Sequence, residues 1–307
     1  MFAHRIRSYG STVDIVVLVS FAPNDDMKEF DQEDLIQIKK ANLILKHVDS
    51  FWERSPLFGD KNTPYSQKGV DKSGMYNKIF AWSMIEYDLI QYIDADVMAI
   101  ENMDDYFESA NANANDVAQD LNDANRAVTV VNNNSTSHIF IRGWMSLLQG
   151  GWYMLKPDLK VFEDLSKMVM FRYSKQWNIQ IGFQVPHIVP QSGEPCLDDD
   201  QGLFWCYFRY SPRAPAITYI DHRNTKVSAI QTISKGKVIK NVKGIKTNAK
   251  FRFRFEHFGG RFKPWVVCRD DKMFRRLPSL ASEHAKHWPP TKLKSFRTAC
   301  TSFNQLN

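Results

Sequence analysis

The sequence has few cysteines and no long apolar run, and both absences limit what the chain can be. Its four cysteines occur without a CxxC pair or the spacing of a zinc site, and we interpret them as ordinary thiols that leave the compartment open: Cys196, Cys206, Cys268 and Cys300. No stretch of about 18 apolar residues is present. The opening "MFAHRIRSYGS" also lacks the apolar centre of a secretory signal. We therefore expect no membrane span within this sequence.

The composition is that of a folded chain, with 43% apolar residues and 21 Phe, which argues against disorder. The net charge is +6, and "KGKVIKNVKGIKTNAKFRFRF" at 235–255 is the most basic stretch. Nucleic acid or a membrane surface could bind such a stretch, but we interpret it as a solvated basic face. A basic half also suits an enzyme that holds a phosphorylated donor, and we predict no nucleic-acid partner.

The first part of the chain predicts a βαβ unit. "TVDIVVLVS" at 12–20 is β-branched enough for a buried strand, and "LILKHV" at 43–48 reads as a second one. Between them, "DQEDLIQIKKAN" predicts a helix with Asp31 as its N-cap and Asn42 just after its end. Strand, helix and strand at this spacing predict parallel pairing.

Later segments continue the alternation of helices and strands. "MYNKIFAWSMIEY" at 75–87 has apolar residues at helical spacing, including Ile85, which predicts a helix with one core face. "LIQYI" at 89–93 predicts the next strand. We further expect a strand and a helix within 150–171, a helix from 198 to 208 that begins with acidic residues, and late strands in "AITYI" and "FRFRFEHF".

Two aspartates, Asp94 and Asp96, come directly after the apolar strand 89–93. Open α/β sheets bind their ligands at the carboxyl ends of the strands. Burial of two neighbouring carboxylates is costly unless a cation or hydrogen bonds offset it. The pair therefore indicates a metal site or a polar cleft, and the alternative is a turn whose aspartates cap backbone amides.

Four stretches in order carry a resemblance to a known family: "NKIFAWSMIEYDLIQYIDADVMAIENMDDYF", "QGGWYMLKPD", "DDDQGLFWCYF" and "HFGGRFKPW". Together the chain resembles glycosyltransferase family 8, the glycogenin-like group of retaining enzymes. The resemblance implies an α/β structure of the GT-A type, a Rossmann-like open mixed sheet flanked by helices. It implies a single domain at 1–270, incomplete at its N-terminus, and a peripheral C-terminal extension at 271–307.

The resemblance also implies a metal and donor site. It makes Asp94, Asp96 and His257 the metal ligands, with Asp94 also near the donor. Oxygen-rich coordination with one imidazole suits Mn²⁺, with Mg²⁺ as the alternative, and such a cation stabilises a leaving diphosphate. Lys263 and Gly260 would contact that diphosphate. In isolation, His257 would more often be a core histidine.

The resemblance also implies roles near the donor sugar for four further residues. Lys78 would contact donor phosphate or sugar, and Asp120 would bind the sugar across an irregular loop. Asp200 and Gln201 would lie below the donor sugar and, with Lys78, form the catalytic set. The alternatives are a lysine that snorkels from an amphipathic helix and acidic residues that only complement a helix N-terminus.

The chain departs from the family pattern in three places. Its start, "HRIRSYGSTVDIVVLVS", resembles the end of the family's first helix and the second strand, so we expect the nucleotide-binding strand to be missing. Gln149 stands where the family usually has Asn before the glycine turn, and Leu197 where glycogenin has a carboxylate. These departures bear on the uridine pocket, the acceptor geometry and self-glucosylation.

We predict a metal-dependent retaining hexosyltransferase that moves a hexosyl group from a UDP-sugar, carrying glucose, galactose or glucuronate, to a glycan or protein acceptor. The alternative is a truncated or degenerate transferase fold that binds without turnover. A haloacid-dehalogenase phosphatase also uses DxD, but "DADVM" fits its motif poorly. The compartment is left open between Golgi lumen and cytoplasm, the oligomer between monomer and homodimer, and a membrane anchor would lie in the missing N-terminus.

Overall fold

The computed structural model describes residues 2–20, 32–49, 51, 73–99, 101–104, 107, 139–141, 148, 150–172, 200–215, 217–223, 226–234, 237–240 and 255–257. These residues form a mixed α/β structure. Its helices are α1 (Phe2–Ser8), α2 (Gln32–Lys40), a 3₁₀ helix (Ser73–Ser83), α3 (Leu159–Arg172) and α4 (Asp200–Tyr210). Within the described ranges, no helix is long and apolar enough to cross a membrane.

The strands of the described residues form three sheets. The strands are β1 (Ile15–Val19), β2 (Leu43–His47), β3 (Ile90–Ile93), β4 (Val97–Ala99), β5 (Ile139–Ile141), β6 (Trp152–Leu155), β7 (Ile217–Arg223), β8 (Lys226–Ser234), β9 (Lys237–Lys240) and β10 (Phe255–His257). β1 pairs with β2, β4 pairs with β10, and six strands form a sheet in the order β3-β6-β5-β7-β8-β9. β5 runs parallel to β7, whereas β5–β6, β7–β8 and β8–β9 are antiparallel, so this sheet is mixed, as predicted.

The chain divides into two compact units, each built from separate stretches of sequence. One unit contains 1–13, 93–105 and 252–307, and the other contains 14–92 and 106–251. The expected boundary at 270 stays a prediction, because the residues on both sides of it lie outside the described part of the chain.

The βαβ unit predicted near the start is confirmed. β1 and β2 are parallel, with Ile15 opposite Leu43 and Val19 opposite His47. α2 ends at Lys40, and Asn42 adopts a φ of 49°, the left-handed conformation that commonly ends a helix. Asp31, the expected N-cap, lies outside the described residues.

The expected amphipathic helix at 75–87 is wrong in kind and in pattern. The structure has a 3₁₀ helix at Ser73–Ser83, and Ile85 is 62% exposed. All seven side chains from Tyr76 to Trp82 are buried, including two polar ones, Asn77 and Lys78. Because every side chain from residue 76 to 82 is buried, the spacing of the apolar residues alone could not predict which side chains lie in the core.

α3 and α4 pack together around a buried polar contact in the second unit. Asp158 caps α3, accepting hydrogen bonds from the Lys160 amide at 2.8 Å and the Val161 amide at 3.4 Å. The Tyr207 hydroxyl of α4 donates to Oδ2 of Asp164 of α3 over 3.4 Å. Burial, together with the Asp164 carboxylate, raises the pKa of Tyr207, which keeps this hydroxyl a neutral donor.

The interpretation of all four cysteines as thiols is wrong for Cys206. This residue lies in α4, is fully buried and is disulfide-bonded. The sequence offered no CxxC spacing to indicate the bond, because a disulfide depends on proximity in space and not on separation along the chain. The other three cysteines lie outside the described residues.

We predict that Cys206 appears in a cross-linked peptide in non-reducing peptide mapping by mass spectrometry. Reduction should lower the free energy of unfolding of the wild type by about 2–4 kcal/mol, since a disulfide restricts the unfolded chain. Cys206→Ala is the control, and reductant should lower its free energy of unfolding by less than that of the wild type. A free Cys206 thiol in the folded, unreduced protein would contradict the assignment.

Candidate functional site

A buried lysine connects three of the stretches that the sequence singled out. Lys78, in the 3₁₀ helix, is 5% exposed, and its ammonium group donates a hydrogen bond to the Gly150 carbonyl over 3.0 Å. The same group forms an ion pair with Oδ2 of Asp200, the first residue of α4. The ring of Tyr92 lies 5.4 Å from the ammonium and adds a cation–π contact. Lys78, Gly150, Asp200 and Tyr92 form what we call the Lys78 cluster.

Stacked aromatic rings hold the backbone beneath this cluster. Tyr153 of β6 stacks on Trp82 with ring centroids 5.3 Å apart and on Tyr92 of β3 at 4.8 Å. Its hydroxyl donates to the Lys78 carbonyl over 3.2 Å. The 3₁₀ helix and β6 are thereby held at a defined separation, and the lysine side chain has little freedom.

Gly150 is required because the Asp200 carboxylate occupies the space that a side chain would need. A Cβ atom at residue 150 would lie 2.7 Å from Cγ of Asp200 and closer still to Oδ2. The glycine turn in "QGGWYMLKPD" therefore allows the turn before β6 and the start of α4 to approach each other closely. Sequence reasoning missed this contact, and the double glycine was the available signal.

The Lys78 cluster buries a carboxylate at the first residue of a helix. Asp200 is 6% exposed, and burial of this charge is offset by the Lys78 ammonium and by the helix dipole. Gln201, the next residue, is partly buried. The arrangement fixes one carboxylate oxygen of Asp200, Oδ2, on the Lys78 ammonium at the start of α4.

Lys78 does not snorkel, so that alternative is wrong. Its ammonium is buried with a carboxylate, a carbonyl and an aromatic ring. A direct contact of Lys78 with donor phosphate or sugar stays a prediction.

The Asp94–Asp96 turn lies in the first compact unit. The Val97 amide donates to the Asp94 carbonyl over 3.0 Å, which closes a tight turn directly before β4. Asp96 is 8% exposed, whereas Asp94 is partly buried. β4 pairs antiparallel with β10, and residue 257 lies opposite residue 97. The backbone therefore places His257 next to the residue that follows Asp96.

This donor set fits a hard divalent cation. Two carboxylates from one turn and an imidazole on the paired strand supply oxygen and nitrogen ligands of the types that Mn²⁺ and Mg²⁺ accept. Among the side chains that the structure describes, no three His, Cys, Asp or Glu residues are grouped closely enough to hold a metal. The His257 side chain is outside that set, as are Asp120, Gly260 and Lys263.

We predict that Lys78→Met lowers the free energy of unfolding by about 3–5 kcal/mol, because it leaves the Asp200 carboxylate buried without its cation. Asp200→Asn in the same chain should recover a large part of that loss. Urea denaturation of wild type, both single variants and the double variant measures the coupling. If the changes in the free energy of unfolding of the two single variants added up to that of the double variant, a direct ion pair would be contradicted.

We predict that Gly150→Ala lowers the free energy of unfolding by about 1–3 kcal/mol, because the new methyl group must displace the Asp200 carboxylate. Gly74→Ala is the matched control, since a Cβ there meets no atom within 4 Å. It should stay within about 1 kcal/mol of the wild type. Equal stability of the two variants in urea denaturation would show that Asp200 does not approach Gly150.

Comparison with known proteins gives distant but extended similarity. No family model matches the chain. Over 93% of its length the chain is 23% identical to an Arabidopsis thaliana protein named putative UDP-glucuronate:xylan alpha-glucuronosyltransferase 4, covering 38% of that protein. Over 96% of its length it is 24% identical to putative UDP-glucuronate:xylan alpha-glucuronosyltransferase 5 of the same plant, covering 40% of it.

A shorter similarity points the same way. Over 36% of the chain, identity is 28% to the Arabidopsis thaliana inositol phosphorylceramide glucuronosyltransferase 1, covering 17% of that protein. The chain spans about two fifths of the length of the two putative xylan glucuronosyltransferases named above. All three similarities support a glycosyltransferase, and they leave its family open.

Proposed function

We propose that this chain is the donor-binding part of a metal-dependent retaining hexosyltransferase with a GT-A fold, related to glycosyltransferase family 8. The observation that carries the proposal is the Lys78 cluster. It joins the lysine-bearing helix, the glycine turn and the Asp-Gln-Gly helix, three stretches that are distant in sequence. The mixed sheet and the similarity to named glucuronosyltransferases agree with it.

The proposed donor is UDP-glucuronate, ahead of UDP-glucose and UDP-galactose, because two of the similar proteins carry that donor in their names. The proposed acceptor is a glycan, with a protein as the alternative. The names of the similar proteins mention xylan and a ceramide lipid, so the acceptor varies among them.

Asp94, Asp96 and His257 would hold Mn²⁺, or Mg²⁺ in its place. The bound cation supplies Lewis-acid stabilisation of the leaving diphosphate. Asp94 and Asp96 would contribute carboxylate oxygens from one turn, and the pairing of β4 with β10 puts the backbone of His257 opposite residue 97, directly after Asp96. Lys263 and Gly260 would add a cation and a close backbone amide to the diphosphate.

Asp200 and Gln201 would face the donor sugar. The ion pair with Lys78 uses Oδ2 of Asp200, so Oδ1 is the oxygen that a sugar hydroxyl would reach. In this proposal the contact with Lys78 holds the Asp200 carboxylate in a fixed orientation. Gln201 supplies an amide beside the anomeric centre, and Asp120 binds the sugar from the loop that contains it.

We propose the Golgi lumen as the compartment. The disulfide of Cys206 favours it over the cytoplasm, where glutathione and thioredoxin keep thiols reduced.

We predict that purified protein binds UDP more tightly with Mn²⁺ than without it in titration calorimetry. Asp96→Asn and His257→Ala should lose the Mn²⁺-dependent part, because each removes a ligand. Asp88→Asn, an exposed acid-to-amide change shortly before the turn, is the matched control and should behave as wild type.

Release of UDP from UDP-glucuronate, UDP-glucose and UDP-galactose should then be compared, with the product anomer determined by NMR. UDP affinity of the folded wild type that is the same with and without Mn²⁺ would contradict the metal site. Binding of UDP-sugars without turnover, with or without glycan acceptors, would favour the alternative of a non-catalytic binding protein.

A further inference from the structure

A carboxylate outside the expected set links two distant segments of the first compact unit. Oδ1 of Asp104 accepts a hydrogen bond from the Ser11 hydroxyl over 2.6 Å, and its Oδ2 accepts one from the Thr12 amide over 3.0 Å. Asn102 reinforces the link, because its side-chain amide donates to the Tyr9 carbonyl over 3.0 Å. Three hydrogen bonds therefore join the segments 9–12 and 101–104. We call Ser11, Thr12, Asn102 and Asp104 the Asp104 cluster.

The Asp104 cluster is internally ordered. Oδ1 of Asn102 accepts a hydrogen bond from the Asp104 amide over 2.7 Å, which fixes the local turn. Ser11 is 5% exposed, and its hydrogen bond to the carboxylate is partly buried. Arg7 also holds this N-terminal loop, donating hydrogen bonds to the carbonyls of Ser11 and Val13 over 3.0 and 2.7 Å.

β4 lies between this N-terminal region and β10. Nε of Arg5, in α1, donates to the carbonyl of Ala99 over 3.1 Å, at the last residue of β4. The three residues of β4 are almost fully buried, and β10 pairs with them. Residues 94–96 directly precede β4, so a shift of β4 would move the Asp94–Asp96 turn with it.

We propose that Asp104 is a positioning residue for the divalent cation, acting through β4 on Asp94 and Asp96. This inference rests on the proposed function, because it assumes that the turn holds a metal. Metal–oxygen distances tolerate only small errors of about 0.2 Å, so a ligand turn needs a rigid support. The two hydrogen bonds to Asp104, the Asn102 contact and the Arg5 contact supply that support from α1 and its following loop.

The test is Mn²⁺ binding followed by electron paramagnetic resonance in the presence of UDP, which does not depend on turnover. Asp104→Ala should weaken Mn²⁺ binding by roughly 10–100-fold, the range seen when a group that orients metal ligands is removed. Asp104→Asn should have a smaller effect, because it keeps one carbonyl oxygen for the Ser11 hydroxyl. UDP binding without metal should be unchanged in both.

Two further variants separate positioning from general stability. Ser11→Ala removes one hydrogen bond from the cluster, and it should weaken Mn²⁺ binding even where its melting temperature matches the wild type. Asp14→Ala removes an exposed carboxylate near the same loop and should have no effect.

Unchanged Mn²⁺ affinity in Asp104→Ala and Ser11→Ala, with a wild type that binds the ion, would overturn this inference alone. A wild type that binds no Mn²⁺ would overturn the proposed function and this inference together.

Discussion

The buried ion pair between Lys78 and Asp200 is the interaction on which the described core of the second unit depends. Desolvation of both charges is costly, and the pair is tolerable only with close geometry and further hydrogen bonds. The Gly150 carbonyl supplies one such bond, and the ring of Tyr92 adds a cation–π contact. Every element that borders the pair is therefore constrained: the 3₁₀ helix must bury its lysine, the turn before β6 must lack a side chain, and α4 must begin with its aspartate.

The aromatic core keeps the elements around the ion pair in place. Trp82, Tyr153 and Tyr92 form a continuous stack, and Phe204 and Phe208 of α4 pack against Trp82 at centroid distances of 5.3 and 6.2 Å. Large rings bury much apolar area with few rotatable bonds, so they fix separations between elements more firmly than aliphatic side chains do. Their stabilisation offsets the cost of the charges that they enclose, and it holds Asp200 where a substrate group could meet it.

The first unit uses a different principle. There the candidate ligand Asp96 lies on a tight turn directly before β4, and His257 is the last residue of β10. Main-chain hydrogen bonds therefore determine the spacing of their backbones. Side-chain contacts from α1 and its following loop then secure β4. The described contacts of the first unit thus rest on backbone pairing, and those of the second on a buried ion pair.

Local patterns in the sequence determined the βαβ unit, Asn42 as the residue that ends α2, the strand before Asp94, and α3 and α4, because dihedral preferences and hydrophobic periodicity act over a few residues. The resemblance to a family identified Lys78 and Asp200 as separate candidate site residues. Only the tertiary structure decided that these two residues meet and that Gly150 leaves room for their contact. It likewise decided that residues 76–82 are buried, that Cys206 is disulfide-bonded and that Asp104 joins two distant segments. Each of these depends on contacts between residues far apart in the chain, for which no local spacing rule exists.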